Sequence, residues 1–326
     1  MTGIRDFVWI LAVPLAINAQ LANGDPGCGK NVSFRPGVSP FDIVAGNPPL
    51  PNLWARLGIP ARLKASSGNE INCLDGCEAS IVSSDYLLPA GNDTVVRVCT
   101  AFGDTCRFLL LHQSSSVWSL VDYLDTDYDK YELPTAWIEA SQDQRWLVKS
   151  SFGGGGTGVY LGIAEWFEIR CGALENILKV PLKGEDVNAK PARYFSTRFK
   201  GFHKAGQRES LEFSYLVRFD DYGDDERELW QEERTVVFSR TNRNSKFTFD
   251  PTASNIPANF EEKIFAFDSM NENDFVAFAY NRLLKIARDP TDSRRVWLSE
   301  FRRDTAPGNN ATALKRLLEQ NPGRSG

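Results

Sequence analysis

Hydrophobic and polar residues alternate along the middle of the chain with the two-residue period of half-buried β-strands. The clearest run is 212–220, where Phe213, Tyr215, Val217 and Phe219 share one face and Glu212, Ser214, Arg218 and Asp220 the other. Its predicted partner is 233–239, reached through an acidic turn around Tyr222-Gly223-Asp224-Asp225. Similar β-branched and aromatic runs, broken by turn residues, occur at 95–99, 106–111, 117–122, 135–140, 145–152, 159–170, 174–181 and 193–199. Many strands with short connections predict an antiparallel meander: a sandwich, a barrel or a twisted open sheet. The absence of a fixed-period repeat argues against a propeller or solenoid.

After Asp250-Pro251 the period changes from two to that of helices. Phe275, Val276, Ala279, Leu283 and Ile286 predict a helix capped by Asn273 and ending near Asp289-Pro290. A second helix is expected over 292–303 with Val296, Trp297 and Phe301 inward, a third around Ala311, Leu314, Leu317 and Leu318, and a shorter one over 259–267. The fold class is therefore α+β: a β-rich meander over 67–252, followed by a bundle of short helices over 253–326. Residues 23–66, rich in Gly and Pro, read as an extended arm without regular structure, draped over the domain behind it.

The first residues change the picture of where the chain works. Arg5 precedes the apolar run 7–16, and small residues follow, so residues 1–22 read as a secretory signal peptide with cleavage after Ala19 or Ala22. Pro14 and the shortness of the run argue against a membrane anchor, which needs about 20 apolar residues. Export in turn favours disulfides for the six cysteines over metal ligation or redox catalysis. Cys99 and Cys106 end two strands joined by a turn-rich segment and form the best pair; Cys73 and Cys77 suit a tight local loop, leaving Cys28 to reach Cys171 or both to stay reduced. Asn31, Asn92 and Asn310 head glycosylation sequons, used if the host glycosylates exported proteins.

Overall composition is that of a globular protein, with 37 basic and 42 acidic residues and a net charge of −5. The tail from 270 is the one basic stretch, but its charges interleave with acids on helix faces, so it reads as solvated surface and no nucleic-acid binding is expected. Glu165 is the most unusual acid. If 159–169 is one uninterrupted strand, it stands among Val159, Leu161, Ile163, Phe167 and Ile169, where burial would raise its pKa as a general acid requires. Against this, Gly162 can mark a bulge, and Arg145 or Arg218 can pair with the carboxylate. Glycoside hydrolysis also needs a second acid at a defined separation.

Asp125, Asp127 and Asp129, spaced two apart, suit a hard cation such as calcium, although Lys130 and Ala136 occupy positions where an EF-hand loop needs Gly and a bidentate acid. Gly153, Gly155 and Gly158 satisfy G-x-G-x-x-G after a strand, but a strand rather than a helix is expected next, so the stretch reads as a hairpin loop and not a phosphate cradle. Two histidines, His112 and His203, are too few for a multi-histidine metal site, and His112 with Ser114, Ser115 and Ser116 reads as a hydrophilic loop. Trp118, Trp137, Trp146 and Trp166 suggest a sugar-stacking platform or, more simply, core. No catalytic signature emerges. The expected function is a non-enzymatic module that binds a protein or glycan of the envelope or extracellular space, without a membrane span after leader cleavage. The alternative is a secreted glycan hydrolase with Glu165 as acid.

Overall fold

The computed structural model describes residues 35–46, 49–64, 70–72, 77–85, 92–100, 105–127, 135–141, 144–189, 191–221, 227–256, 272–289, 291–304 and 319. Two antiparallel meanders dominate it. The first sheet contains β1 (Arg35–Pro36), β4 (Glu78–Asp85), β5 (Asn92–Cys99), β6 (Thr105–Ser114) and β7 (Val117–Asp127), in the order β1-β7-β6-β5-β4. A separate ribbon pairs β2 (Arg62–Lys64) with β3 (Glu70–Asn72). The second sheet runs in chain order through β8 (Ala136–Ser141), β9 (Gln144–Gly156), β10 (Val159–Arg170), β11 (Ala173–Asp186), β12 (Ala192–Ala205), β13 (Arg208–Asp221), β14 (Arg227–Arg240) and β15 (Thr248–Phe249). The expected hairpin is present, with Phe213 opposite Val236 and Tyr215 opposite Arg234.

Alternation along each strand sorts the side chains of the described residues into three cores. Val95, Phe108, Leu110 and Val121 of the first sheet meet Ala136, Leu147 and Phe167 of the second, so the sheets pack face to face. Backbone amides add staples between them: Ile138 N–H donates to Ser83 Oγ at 3.2 Å and Leu174 N–H to Asp122 Oδ2 at 2.8 Å. The other face of the first sheet, with Val96, Val98, Leu109 and Leu111, is covered by α1 (Pro40–Val44) and α2 (Leu50–Leu57). The other face of the second sheet carries Trp146, Trp166, Phe213 and Phe219 and is covered by α3 (Glu272–Arg288) and α4 (Arg295–Asp304) through Phe275, Leu283, Trp297 and Phe301.

The arm is not devoid of regular structure, and its prolines and glycines explain why. Pro40 opens α1 and Pro51 sits in the first turn of α2, where a missing N–H leaves no bond unmade. Gly58, at φ 64°, then stops α2 in the left-handed conformation. Leu53, Trp54 and Leu57 between these signals form the buried stripe. A buried arginine fastens the segment. Arg107 of β6 is 1% exposed, donates to both oxygens of Asp125 at 2.6 and 2.8 Å and to the carbonyls of Pro60 and Arg62, and lies between the rings of Trp54 and Tyr123.

The second sheet is strongly curled. Flat strands stand about 4.8 Å apart, so β10 and β14, four places apart, would be separated by about 19 Å. Instead Arg240 of β14 makes a bidentate bond to Glu168 of β10 at 2.7 and 3.0 Å, while its Nε donates to Glu209 of β13 at 2.9 Å. The three side chains lie buried across the concave face, with Trp146 Nε1 donating to Glu168 and Phe247 against the guanidinium. In α4 the inward residues are Trp297, Leu298 and Phe301, whereas Val296 is 67% exposed, contrary to expectation. With the helix starting at Arg295, Leu298 rather than Val296 completes the inward stripe. The expected helices at 259–267 and 311–318 lie outside the described residues.

Candidate functional site

Glu165 is buried, but not among apolar side chains alone. Register places Lys149 of β9 and Lys179 of β11 directly opposite it on its own face. Their ammonium groups reach Oε2 at 2.8 Å and Oε1 at 2.6 Å. Burial opposes ionisation, yet the two lysines together outweigh it and hold the carboxyl below its ordinary pKa. The expected rise is thus overturned, and the partners are lysines rather than Arg145 or Arg218. The sequence-level reason is register, since cross-strand neighbours are fixed only once the strands are paired. Bulges do occur next to Gly162, facing both β9 and β11.

Asp125 is committed to Arg107 and also accepts the Lys64 amide at 2.9 Å. Asp127 ends β7 and Asp129 lies outside the described residues, among which no group of metal-ligating side chains converges. Cys99 and Cys106 are opposed in register and bonded, with Cα atoms 4.1 Å apart. Cys77 and Cys171 are disulfide-bonded too, so Cys171 is not reduced; Cys73 and Cys28 lie outside the described residues.

The glycine run belongs to β9 and ends in a Thr157-Gly158 turn with Gly158 at φ 77°, a hairpin as expected. Trp146 and Trp166 are core, and Trp118 and Trp137 pack partly buried against core residues. His112 departs from the loop expected of it. It lies in β6, 5% exposed, with Nδ1 2.9 Å from Oδ1 of the fully buried Asp93 directly across on β5. That partner allows the strand to continue through His112, and the turn falls at Ser115-Ser116 instead.

The arrangement with most chemical potential is one the sequence reading passed over. On the outer face of β12–β14, His203, Arg208, Ser210 and Val237 line a cleft of about 310 Å³ whose wall is Asp250, Thr252 and Ala253. The Gly206-Gln207 turn, with Gly206 at φ 63°, sets His203 opposite Ser210. Because Leu211, Phe213 and Phe238 face the core, their alternates Ser210, Glu212 and Ser239 face out. His203 Nε2 lies 3.2 Å from Glu212 Oε2.

Asp250 is saturated. It accepts from the hydroxyls of Ser239 and Thr252, from Arg208, and from the amides of Thr252 and Ala253. These bonds, the two hydroxyls foremost, hold its carboxyl far below the usual carboxylate range. Arg208 engages Asp250 and Ser239 through Nη2 alone. Among the described residues no bond is made by its Nε and Nη1 or by the Ser210 hydroxyl, so the cleft offers both donors and an acceptor. The signal that could have revealed the site is the turn itself: centring the hairpin on Gly206-Gln207 extends both strands and pairs His203 with Ser210.

No known family, no curated protein and no solved structure matches this chain. No helix among the described residues is long and apolar enough to cross a membrane.

Proposed function

We propose that the chain is an exported, non-enzymatic binding module of the envelope or extracellular space, and that the outer-face cleft of β12–β14 is its ligand site. The observation that carries this reading is the contrast between two kinds of group. Arg208 and Ser210 keep open hydrogen-bonding positions at a cleft of ligand size. The carboxylates that acid–base chemistry would use, Glu165 and Asp250, are instead held ionised by lysines, hydroxyls and an arginine.

The test is co-sedimentation of the purified protein with insoluble envelope from its source organism at low and high salt. Salt-resistant sedimentation is expected. A protein that stays in solution at both salt concentrations would overturn the reading.

A further inference from the structure

We infer that the outer edge of β9 from Ser151 to Gly156 pairs with the same edge of a second copy of this chain, forming a two-fold dimer through an antiparallel strand pair. The inference goes beyond the cleft reading and stands independently of it. β9 outruns its neighbour. β8 pairs with residues 144–149, and the pairing ends at Ser150, whose N–H donates to the Thr135 carbonyl at 2.8 Å. The next residue in sequence on that side is Pro134, which has no N–H to give. Residues 151–156 are paired with β10 on one side, and no described strand pairs with them on the other. At about 3.4 Å per residue they leave roughly 20 Å of edge, a row of amides and carbonyls that fits another extended backbone.

Strand edges are ordinarily protected by lysine, by proline or by a covering segment. Elsewhere in this chain such cover is present: Ile138 of β8 donates to Ser83 of β4, and the outer edge of β14 donates to Ser254 and Asn255. Ser151-Phe152-Gly153-Gly154-Gly155-Gly156 has neither charge nor proline, and the bulge at Gly153 leaves Gly154–Gly156 paired with β10. Phe152, Gly153, Gly155 and Gly156 are exposed, and at Gly154 and Gly156 a Cβ would meet nothing within 4 Å. Three features select a second copy as the occupant. A two-fold antiparallel pair is isologous, so the same edge serves both partners. It brings the Phe152 end of each strand to the glycine end of the other, where no side chain obstructs a ring that is 45% exposed, and aromatic residues protect edge glycines in this way. The edge is also uncharged, so it adds no local repulsion between two copies of a chain with net charge −5. A pair carries two of the outer-face clefts, the condition for avid attachment to a repetitive surface.

The experiment is sedimentation velocity of the full-length protein from ~5 to ~500 µM, a range suited to an interface below about 1,200 Å². A reversible monomer–dimer equilibrium is expected. Hydrogen exchange at the two ends of that range should show amides within 151–156 that exchange freely in dilute protein and are protected in concentrated protein. Gly156→Lys places on the edge the charge that natural edges use against pairing, in space where a Cβ meets nothing, and should raise the dissociation constant by about tenfold or more. Phe41→Lys, at an apolar residue of α1 that is 71% exposed, should leave the dimer unchanged. Thermal melts of both variants verify folding. Protein that stays monomeric throughout, or a dimer as tight in Gly156→Lys as in the parent, overturns the inference. A dimer lost in Phe41→Lys does so too, by moving the interface to α1. So do edge amides already protected in dilute protein, since another segment of the same chain then holds the edge.

Discussion

Replacing Arg107 by methionine keeps an unbranched stem between Trp54 and Tyr123 but removes every bond the guanidinium makes. Asp125 loses two charge-assisted donors at 2.6 and 2.8 Å and retains the Lys64 amide. The carbonyls of Pro60 and Arg62 lose theirs. Removing one member of a buried ion pair costs about 3–5 kcal/mol, because the other charge stays behind undercompensated. Partial relief through the Lys64 amide places the expected loss near 4 kcal/mol, or about 10 °C in Tm at ~2–3 °C per kcal/mol. Urea unfolding followed by tryptophan fluorescence and circular dichroism reads it. Limited proteolysis should show early cleavage within 49–64, the segment Arg107 fastens. Adding Asp125→Leu to Arg107→Met should recover about half of the loss, since the stranded charge is then gone. A single variant that loses less than about 1 kcal/mol would refute the reasoning, placing this pair with weak surface pairs. So would a double variant no more stable than the single one.

Glu165→Gln should destabilise the protein at neutral pH, with the deficit shrinking as pH falls. A carboxyl whose folded pKa lies below its unfolded value near 4.3 contributes stability above that value and loses it on protonation through the folded pKa. A deficit constant from pH 7 to 3 would contradict the lysine pairing. Gly184→Ala would bring a Cβ to 2.4 Å from Phe195 Cε1 and 2.8 Å from the Tyr160 carbonyl. Its urea midpoint should drop by the equivalent of about 1–3 kcal/mol, and an unchanged midpoint would mean the strands separate freely there. Replacing Cys99 and Cys106 together by alanine reopens a loop of sequence separation 7 and should cost about 2.4 kcal/mol by chain entropy. Equal unfolding midpoints for the variant and the oxidised protein would show that the link adds nothing to the hairpin.

The strands were legible wherever one face is buried and the other wet. Phe213, Tyr215, Val217 and Phe219 announce β13, and their partners in β14 follow from turn spacing. The Cys99–Cys106 bond was legible for the same reason, because two strand ends meeting at a short turn leave few other partners. The helices of the arm were not, since proline and glycine read locally as breakers and only tertiary burial of Leu53 and Trp54 shows them to be boundary marks. Glu165 illustrates a deeper limit. Alternation on its own strand pointed to its burial, but the two lysines that decide its protonation lie 16 positions before and 14 positions after it. The cleft was missed on similar grounds: His203 and Ser210 are ordinary exposed strand residues until a turn opposes them and the 250–253 segment walls them in.

The cover of the concave sheet has a consequence for the order in which the chain is made. Strands β8 to β14 are complete at residue 240, yet the helix residues that bury Phe219 and Trp230, beginning with Phe275, emerge 35 residues later. At about 5–20 residues per second, that leaves the aromatic face of a finished sheet without α3 for roughly 2–7 s during each round of synthesis. Throughout that interval the nascent chain carries Phe219 and Trp230 without the α3 residues that pack on them. Neighbouring nascent chains on one message, or a holding chaperone, are then in direct competition with α3 for these two rings.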